Sequence, residues 1–188
     1  MSEFEFISVA VALVYSFAVA RLVTAVPVLL GSSERYWVHA AWALHQLLGV
    51  VVSWWFVFEL GDVSWTPLRY LVALSLPSLA AMRIAVLVTD SPSAVGSWRA
   101  HFYDSRIPFF TFVLIGSLNA VSVPWSMGQI PWFEWNATTL FALIPAAIAV
   151  IGLATARPWV HGLLVSLNSA VLVAFFATVG TVIRTSGA

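Results

Sequence analysis

The chain has 188 residues, of which 61% are hydrophobic and only 9% charged, and its formal net charge at pH 7 is zero. Its mean hydropathy of +0.96 is far above that of a soluble domain, which predicts a polytopic membrane protein. The absence of Cys and Lys excludes disulfides, thiolate chemistry, Cys-ligated metals and Lys Schiff bases, and the zero net charge argues against nucleic acid as a partner.

Six apolar stretches are long enough to cross a bilayer, which takes about 20 residues of helix. In chain order they cover residues 6–30, 36–60, 67–89, 107–123, 138–154 and 159–183. The boundary between the last two rests on Arg157 and Pro158, because proline breaks or kinks a helix, so one kinked segment is the alternative. The sequence therefore predicts a single all-α domain, 1–188, built as a bundle of about six transmembrane helices.

The connection at 90–106 is long enough to form structure of its own. Ser93 is a suitable N-cap residue, and Val95, Trp98 and Phe102 follow at a spacing of three to four residues, as on one helix face. This pattern predicts a short interfacial helix that lies on the membrane surface.

The distribution of Arg between the loops predicts the orientation in the membrane. We call the side that holds the amino terminus side A and the opposite side side B. The loop arginines are Arg35, Arg99, Arg106 and Arg157 on side B, and Arg69 and Arg184 on side A. By the positive-inside rule, side B is the cytoplasm and both termini lie outside.

Polar and small residues inside the apolar stretches predict how the helices pack. Asn119 and Asn168 are expected to form hydrogen bonds between helices, because an unpaired amide in lipid costs several kcal/mol. Small residues recur every three or four positions in the last two stretches, as Ala142, Ala146, Ala149 and Gly152, and as Gly162, Ser166, Ala170 and Ala174. Such stripes allow close approach of membrane helices.

Two arginines and a histidine lie at one depth in the predicted bundle. Counted along their helices, Arg21, His45 and Arg83 are each roughly 10–14 Å from side B. The sequence places no carboxylate at this depth, so an anion from outside the chain is expected to complete the group. The nearby polar residues are Tyr15, Ser16, Thr24 and Gln46. The alternative is that both arginines extend to the headgroups on side B.

The other three histidines are predicted to lie in the half of the bundle near side B: His39, His101 and His161. They are the only candidates for a haem or metal site. His39 and His161 lie at similar depth near the starts of their stretches, but the chain has no His-Glu-x-x-His element, no Cys ligand and no histidine pair at matched mid-membrane depth on facing helices. Interfacial hydrogen bonding is therefore the favoured interpretation, with pH sensing as a lesser one.

Three short strings are distributed over most of the chain: EFEFISV at 3–9, YWVHAAWAL at 36–44 and WRAHFYDSR at 98–106. They resemble landmarks of a family of small uncharacterised bacterial inner-membrane proteins with six helices. The resemblance implies a bacterial inner-membrane location and no particular activity, because that family has no assigned function. The absence of Lys puts in doubt any family role that needs an amine.

The predicted function is to bind or conduct a small anion, or to engage anionic membrane lipid, through Arg21, His45 and Arg83. The protein is expected to act as a homo-oligomer or as a subunit of a membrane complex. A non-catalytic accessory or scaffold subunit is the first alternative, and a haem- or metal-binding redox protein is the second. No Ser-His-acid arrangement is evident, so no catalytic residue is predicted.

Overall fold

The computed structural model describes residues 2–31, 34–58, 60–61, 63–89, 94–128 and 137–185. It is all-helical, and the helices of the described residues are α1 (Glu3–Gly31), α2 (Trp37–Phe58), α3 (Pro67–Leu87), α4 (Trp98–Ser126), α5 (Ala137–Ala154) and α6 (Pro158–Thr185). The predicted break at Pro158 is confirmed, because α5 ends at Ala154 and α6 begins at this proline.

Local sequence sets several helix ends. Thr66 is the N-cap of α3, where its side chain accepts a hydrogen bond from the backbone N–H of Arg69, and Pro67 follows at the first helical position. Ser97 caps α4 in the same way through the backbone N–H of Ala100. Prolines also lie inside α1, α3, α4 and α5, as membrane helices tolerate.

Four of the described helices are long and apolar enough to cross a membrane: α1, α3, α4 and the Pro158–Ala177 part of α6. Their outward faces are apolar as well. Phe17 is 74% exposed, and Leu71 and Val173 are each 67% exposed. A surface of this kind indicates a membrane protein whose outer side chains face lipid.

Consecutive helices run in opposite directions. At side A, the Nε of Arg69 near the start of α3 donates to the carbonyl of Ser126 at the end of α4. At side B, Arg106 near the start of α4 donates to the carbonyls that end α5. The result is an up-and-down bundle with the amino termini of α1, α3 and α5 on side A.

Five of the six helices form a closed ring. Each of α2, α3, α4 and α5 packs against the next helix in the chain, and α6 closes the ring by packing against α2. Helix α1 lies outside the ring and packs mainly against α2 and α3. It presents a buried stripe to them, formed by Ile7, Val11, Tyr15, Ala18, Leu22, Ala25 and Leu29.

The expected interfacial helix is not separate in the described part of 90–106. Residues 98–106 form the first turns of α4, which continues through Pro108 to Ser126. Trp98 is 1% exposed and Phe102 is fully buried, so the apolar face that was expected to lie on the membrane surface packs inside the protein. Ser93 lies outside the described residues.

The side-B half of the ring is filled with aromatic rings. The Trp42 ring contacts those of Phe109 and Phe110 edge-on, with centroids 5.3 and 5.5 Å apart. Phe110 in turn stacks on His161 at 5.5 Å. All four side chains are almost completely buried, and through them α2, α4 and α6 meet at the centre of the bundle.

Candidate functional site

A cavity of about 410 Å³ lies inside the five-helix ring. Its lining side chains come from α2, α3, α4, α5 and α6, and Trp42 forms part of its wall next to the aromatic side-B half. Its polar lining residues are His45, Gln46, Ser53, Arg83, Ser117 and Asn168, and most of the remaining wall is apolar. The volume is in the range of small-molecule sites, about 300–1,000 Å³.

Arg83 points along the cavity toward side A. A Cβ on Gly116 of α4 would lie 3.2 Å from Arg83 Nη1 and 3.9 Å from the Cβ of Leu79. The guanidinium therefore reaches back about one turn, to the level of Leu79, as expected for a side chain that leans toward the N-terminus of its helix. This direction is opposite to the one it would take to reach headgroups on side B.

Several buried donor groups around the cavity lack partners. In the described part of the chain, Arg83 Nε has no hydrogen bond. Asn168 Nδ2 lies 2.6 Å from His45 Nε2; with the amide as donor, the imidazole is neutral and carries its proton on Nδ1, which is buried and unpaired. The Tyr15 hydroxyl is buried near Ser53 and Arg83 without a hydrogen bond of standard length and angle.

No Asp or Glu is among the described residues that line this cavity. The Asn168 side-chain oxygen, which is also unpaired, is the exception to the excess of donors. The site therefore combines a fixed positive charge with N–H and O–H groups, and an anion is the ligand that satisfies such a set.

Arg21, the other arginine of the predicted cluster, is placed elsewhere. It belongs to α1, outside the ring, and does not line the cavity. Its Nη2 donates to the carbonyl of Val88, the C-cap residue of α3, at 3.1 Å. The expected convergence of Arg21 and Arg83 is not found, because α1 packs on the outside of α3 while Arg83 faces inward. Ser16 and Thr24, on the same helix as Arg21, are exposed.

Arg106 and Arg69 act as Arg21 does. Arg106 Nη1 donates to the carbonyls of Gly152, Leu153 and Thr155 at the end of α5. Arg69 donates to the carbonyl of Ser126 at the end of α4. A cation at a helix C-terminus satisfies carbonyls that have no partner within the helix and interacts favourably with the helix dipole. These three arginines are structural.

The remaining histidines belong to the aromatic side-B half. His39 and His101 have ring centroids 5.5 Å apart, His101 Nε2 lies 3.2 Å from the carbonyl of Leu87, and His161 Nε2 lies 2.8 Å from the carbonyl of Thr155. Within the described ranges, no three His, Asp or Glu residues are grouped so as to hold a metal ion.

A pair of hydroxyl groups lies beside these histidines, where Tyr36 and Tyr103 approach each other at 3.1 Å. Burial, together with this hydrogen bond, raises the pKa of Tyr36 and keeps its hydroxyl neutral.

The two predicted packing amides have different surroundings. Asn119 Nδ2 donates to Ser75 Oγ at 2.9 Å and joins α4 to α3. Asn168 joins α6 to α2 through His45 and also lines the cavity, a role that the sequence analysis did not assign to it. The depth of Asn168 was a usable signal, because this residue stands nine residues into its apolar stretch, as His45 does in its own.

No family model, curated protein or solved structure matches this chain.

Proposed function

We propose that this is a six-span bacterial inner-membrane protein, with side B in the cytoplasm and both termini outside, that binds an anion inside the membrane at Arg83. The observation that carries the proposal is the Arg83 guanidinium in the cavity wall, with no acid among the described lining residues. His45, Gln46 and Asn168 supply the polar surroundings, and Tyr15 approaches from α1.

Energetics support an anion as the ligand. A buried charge without a partner is costly, and each buried donor without a hydrogen bond costs about 1–3 kcal/mol. An anion with two or more acceptor oxygens relieves both costs, because a guanidinium donates two parallel hydrogen bonds to carboxylate or phosphate. The protein therefore gains stability when the site is filled.

The aromatic side-B half favours binding over conduction. Trp42, Phe109 and Phe110 fill the ring between the cavity and side B with edge-to-face contacts. A continuous path for an ion to side B requires these buried side chains to move, whereas binding in the cavity requires no such rearrangement.

Thermal unfolding of the purified protein in an uncharged detergent tests the proposal. Acetate, inorganic phosphate and chloride are titrated as sodium salts. A saturating ligand raises the unfolding temperature by roughly 5–10 °C at a concentration 100 times its Kd. Arg83→Gln is expected to abolish the increase. Arg99→Gln is the control, since Arg99 is exposed and lies in the first turn of α4.

Equal temperature shifts in wild-type protein and Arg83→Gln for every anion would show that the effect is one of ionic strength. Such a result would overturn the proposal, because it leaves Arg83 without a ligand.

A further inference from the structure

The cavity has two chemically distinct ends. The end near side B holds the polar groups Arg83, His45 and Asn168. The end toward side A is lined mainly by apolar residues, Leu60, Val123, Pro124, Phe141 and Phe175, and the one polar group described there, the Ser53 hydroxyl, donates to the carbonyl of Gly49. A small hydrated ion satisfies the first end and leaves the second unfilled, so the complete cavity is complementary to a ligand with both a charged and an apolar part.

The shape of the apolar part follows from α4. Its lining residues run from Gly116, which contacts Arg83, to Pro124 along one face of the helix. Eight residues of helix extend roughly 12 Å. The apolar end is therefore elongated along the membrane normal, and the five-helix ring surrounds it.

Resting on the anion site proposed above, we infer that the ligand is an amphiphile with one hydrocarbon chain and an anionic head, a carboxylate or a phosphate monoester. The head binds Arg83 and the chain extends toward side A between α4, α5 and α6. The volume of about 410 Å³ accommodates one short chain with its head.

The head-to-chain orientation of the bound ligand matches that of amphiphiles in the side-B leaflet. An amphiphile of the side-B leaflet has its head toward side B and its chain toward the membrane centre, which is the polarity of the cavity. Arg83 points away from side B, so the bound head lies deeper than the headgroups of that leaflet. The bound ligand therefore has the same orientation as an amphiphile of the side-B leaflet.

A chain-length comparison tests the inference with acetate, octanoate, octyl phosphate and octanol as probes, read from the concentration that gives half of the maximal thermal shift. Octanoate or octyl phosphate is expected to bind at least about tenfold more tightly than acetate, because each buried methylene adds affinity. Octanol lacks the charge and should give no shift that depends on Arg83. The octyl anion that binds more tightly shows which head group the site prefers, a carboxylate or a phosphate monoester.

A substitution inside the apolar end separates chain binding from head binding. Ala120→Phe fills the cavity beyond Gly116 and should remove the preference for octyl chains while acetate still binds, which also shows that the variant is folded. Leu118→Phe is the matched control, because Leu118 is on the same helix and 53% exposed on the outside. If Ala120→Phe does not fold, Ala142→Leu on α5 narrows the same end.

The outcomes separate the two proposals. The inference of an amphiphilic ligand is overturned if acetate and the octyl anions bind with equal affinity, or if the preference for octyl chains survives both cavity-filling variants. Either result leaves the proposed anion site unaffected. If no anion distinguishes wild-type protein from Arg83→Gln, both proposals are overturned.

Discussion

The two halves of the five-helix ring differ in what surrounds their arginines, although buried ring nitrogens without a hydrogen bond occur in both halves, as at His39 and His45. In the side-B half, Arg106 donates to three carbonyls, His161 lies beside the carbonyl of Thr155, and aromatic rings fill the space between the helices. In the cavity half, Arg83 Nε and His45 Nδ1 have no hydrogen bond within the described chain.

This difference separates the arginines that donate to helix C-termini from Arg83, the arginine of the proposed anion site. Arg21 and Arg83 both lie in apolar stretches of sequence, yet Arg21, like Arg106, donates to a helix C-terminus, whereas Arg83 lines the cavity. Substitutions in the side-B half should therefore change stability and leave the affinity for anions intact. Substitutions in the cavity half should change the affinity for anions.

The largest effect is expected for Arg106→Met. It removes hydrogen bonds to the carbonyls of Gly152, Leu153 and Thr155, and a hydrogen bond to a charged group contributes about 1.5–3 kcal/mol. The free energy of unfolding, measured by SDS titration, should fall by at least this amount, with the anion affinity of the folded protein unchanged. Arg99→Met on the same helix is the control, and an equal loss there would contradict a specific role of the α5 terminus.

Gly152→Ala should follow, with a loss of about 1–3 kcal/mol from overpacking. A Cβ at this position would lie 2.7 Å from the ring of Phe110, which is completely buried and cannot move aside. Gly162→Ala is the matched control. Its added Cβ would lie 2.9 Å from Trp37, but that ring is 60% exposed and has room to shift. Equal losses for the two variants in SDS titration would argue against a rigid aromatic half.

The third prediction is that substitutions of two arginines change the free energy of unfolding in opposite directions. Without ligand, Arg83→Met should raise the free energy of unfolding by about 1 kcal/mol, because it replaces a cation whose buried Nε has no hydrogen bond by an apolar side chain. Arg21→Met should lower it by about 1 kcal/mol, since it removes the cap on α3. Losses of equal size in both variants would show that Arg83 has a structural partner.

The smallest effect concerns Gly116. An added methyl group in Gly116→Ala would lie 3.2 Å from Arg83 Nη1 and displace the guanidinium by a few tenths of an ångström. The affinity for the tightest anion should fall by roughly twofold to threefold, because two parallel hydrogen bonds depend on geometry. Gly49→Ala is the control in the same thermal titration, since Gly49 lines the cavity but a Cβ there meets nothing within 4 Å. A larger loss for Gly49→Ala would mean that added bulk alone lowers the affinity.

Hydrophobic runs were sufficient to predict that there are helices in these six places. Each predicted stretch overlaps one of α1 to α6, but α4 begins at Trp98, well before its predicted stretch of 107–123, and it continues through Pro108 and Pro124. The packing of residues 98–106 inside the protein was not predictable in this way. Their apolar face is the same whether it packs on lipid or on protein, and only the contacts with α2 and α6 decide between the two.

Depth along the helices grouped the site residues only in part. It placed His45 and Arg83 at one level, and both line the cavity. It also placed Arg21 there, because depth does not encode the direction in which a side chain points around its helix. The order of helices in the ring, which puts α1 outside, results from packing between distant segments and leaves no local signal in the sequence.

The closure of the ring by α2 and α6 has a consequence for biosynthesis. His45 and Asn168, whose side chains join these two helices, are 123 positions apart in the chain. During synthesis from the amino terminus, the cavity therefore cannot form until α6 has inserted and packed against α2. A protein truncated before α6 keeps Arg83 and His45 but lacks Asn168 and the α6 wall of the cavity.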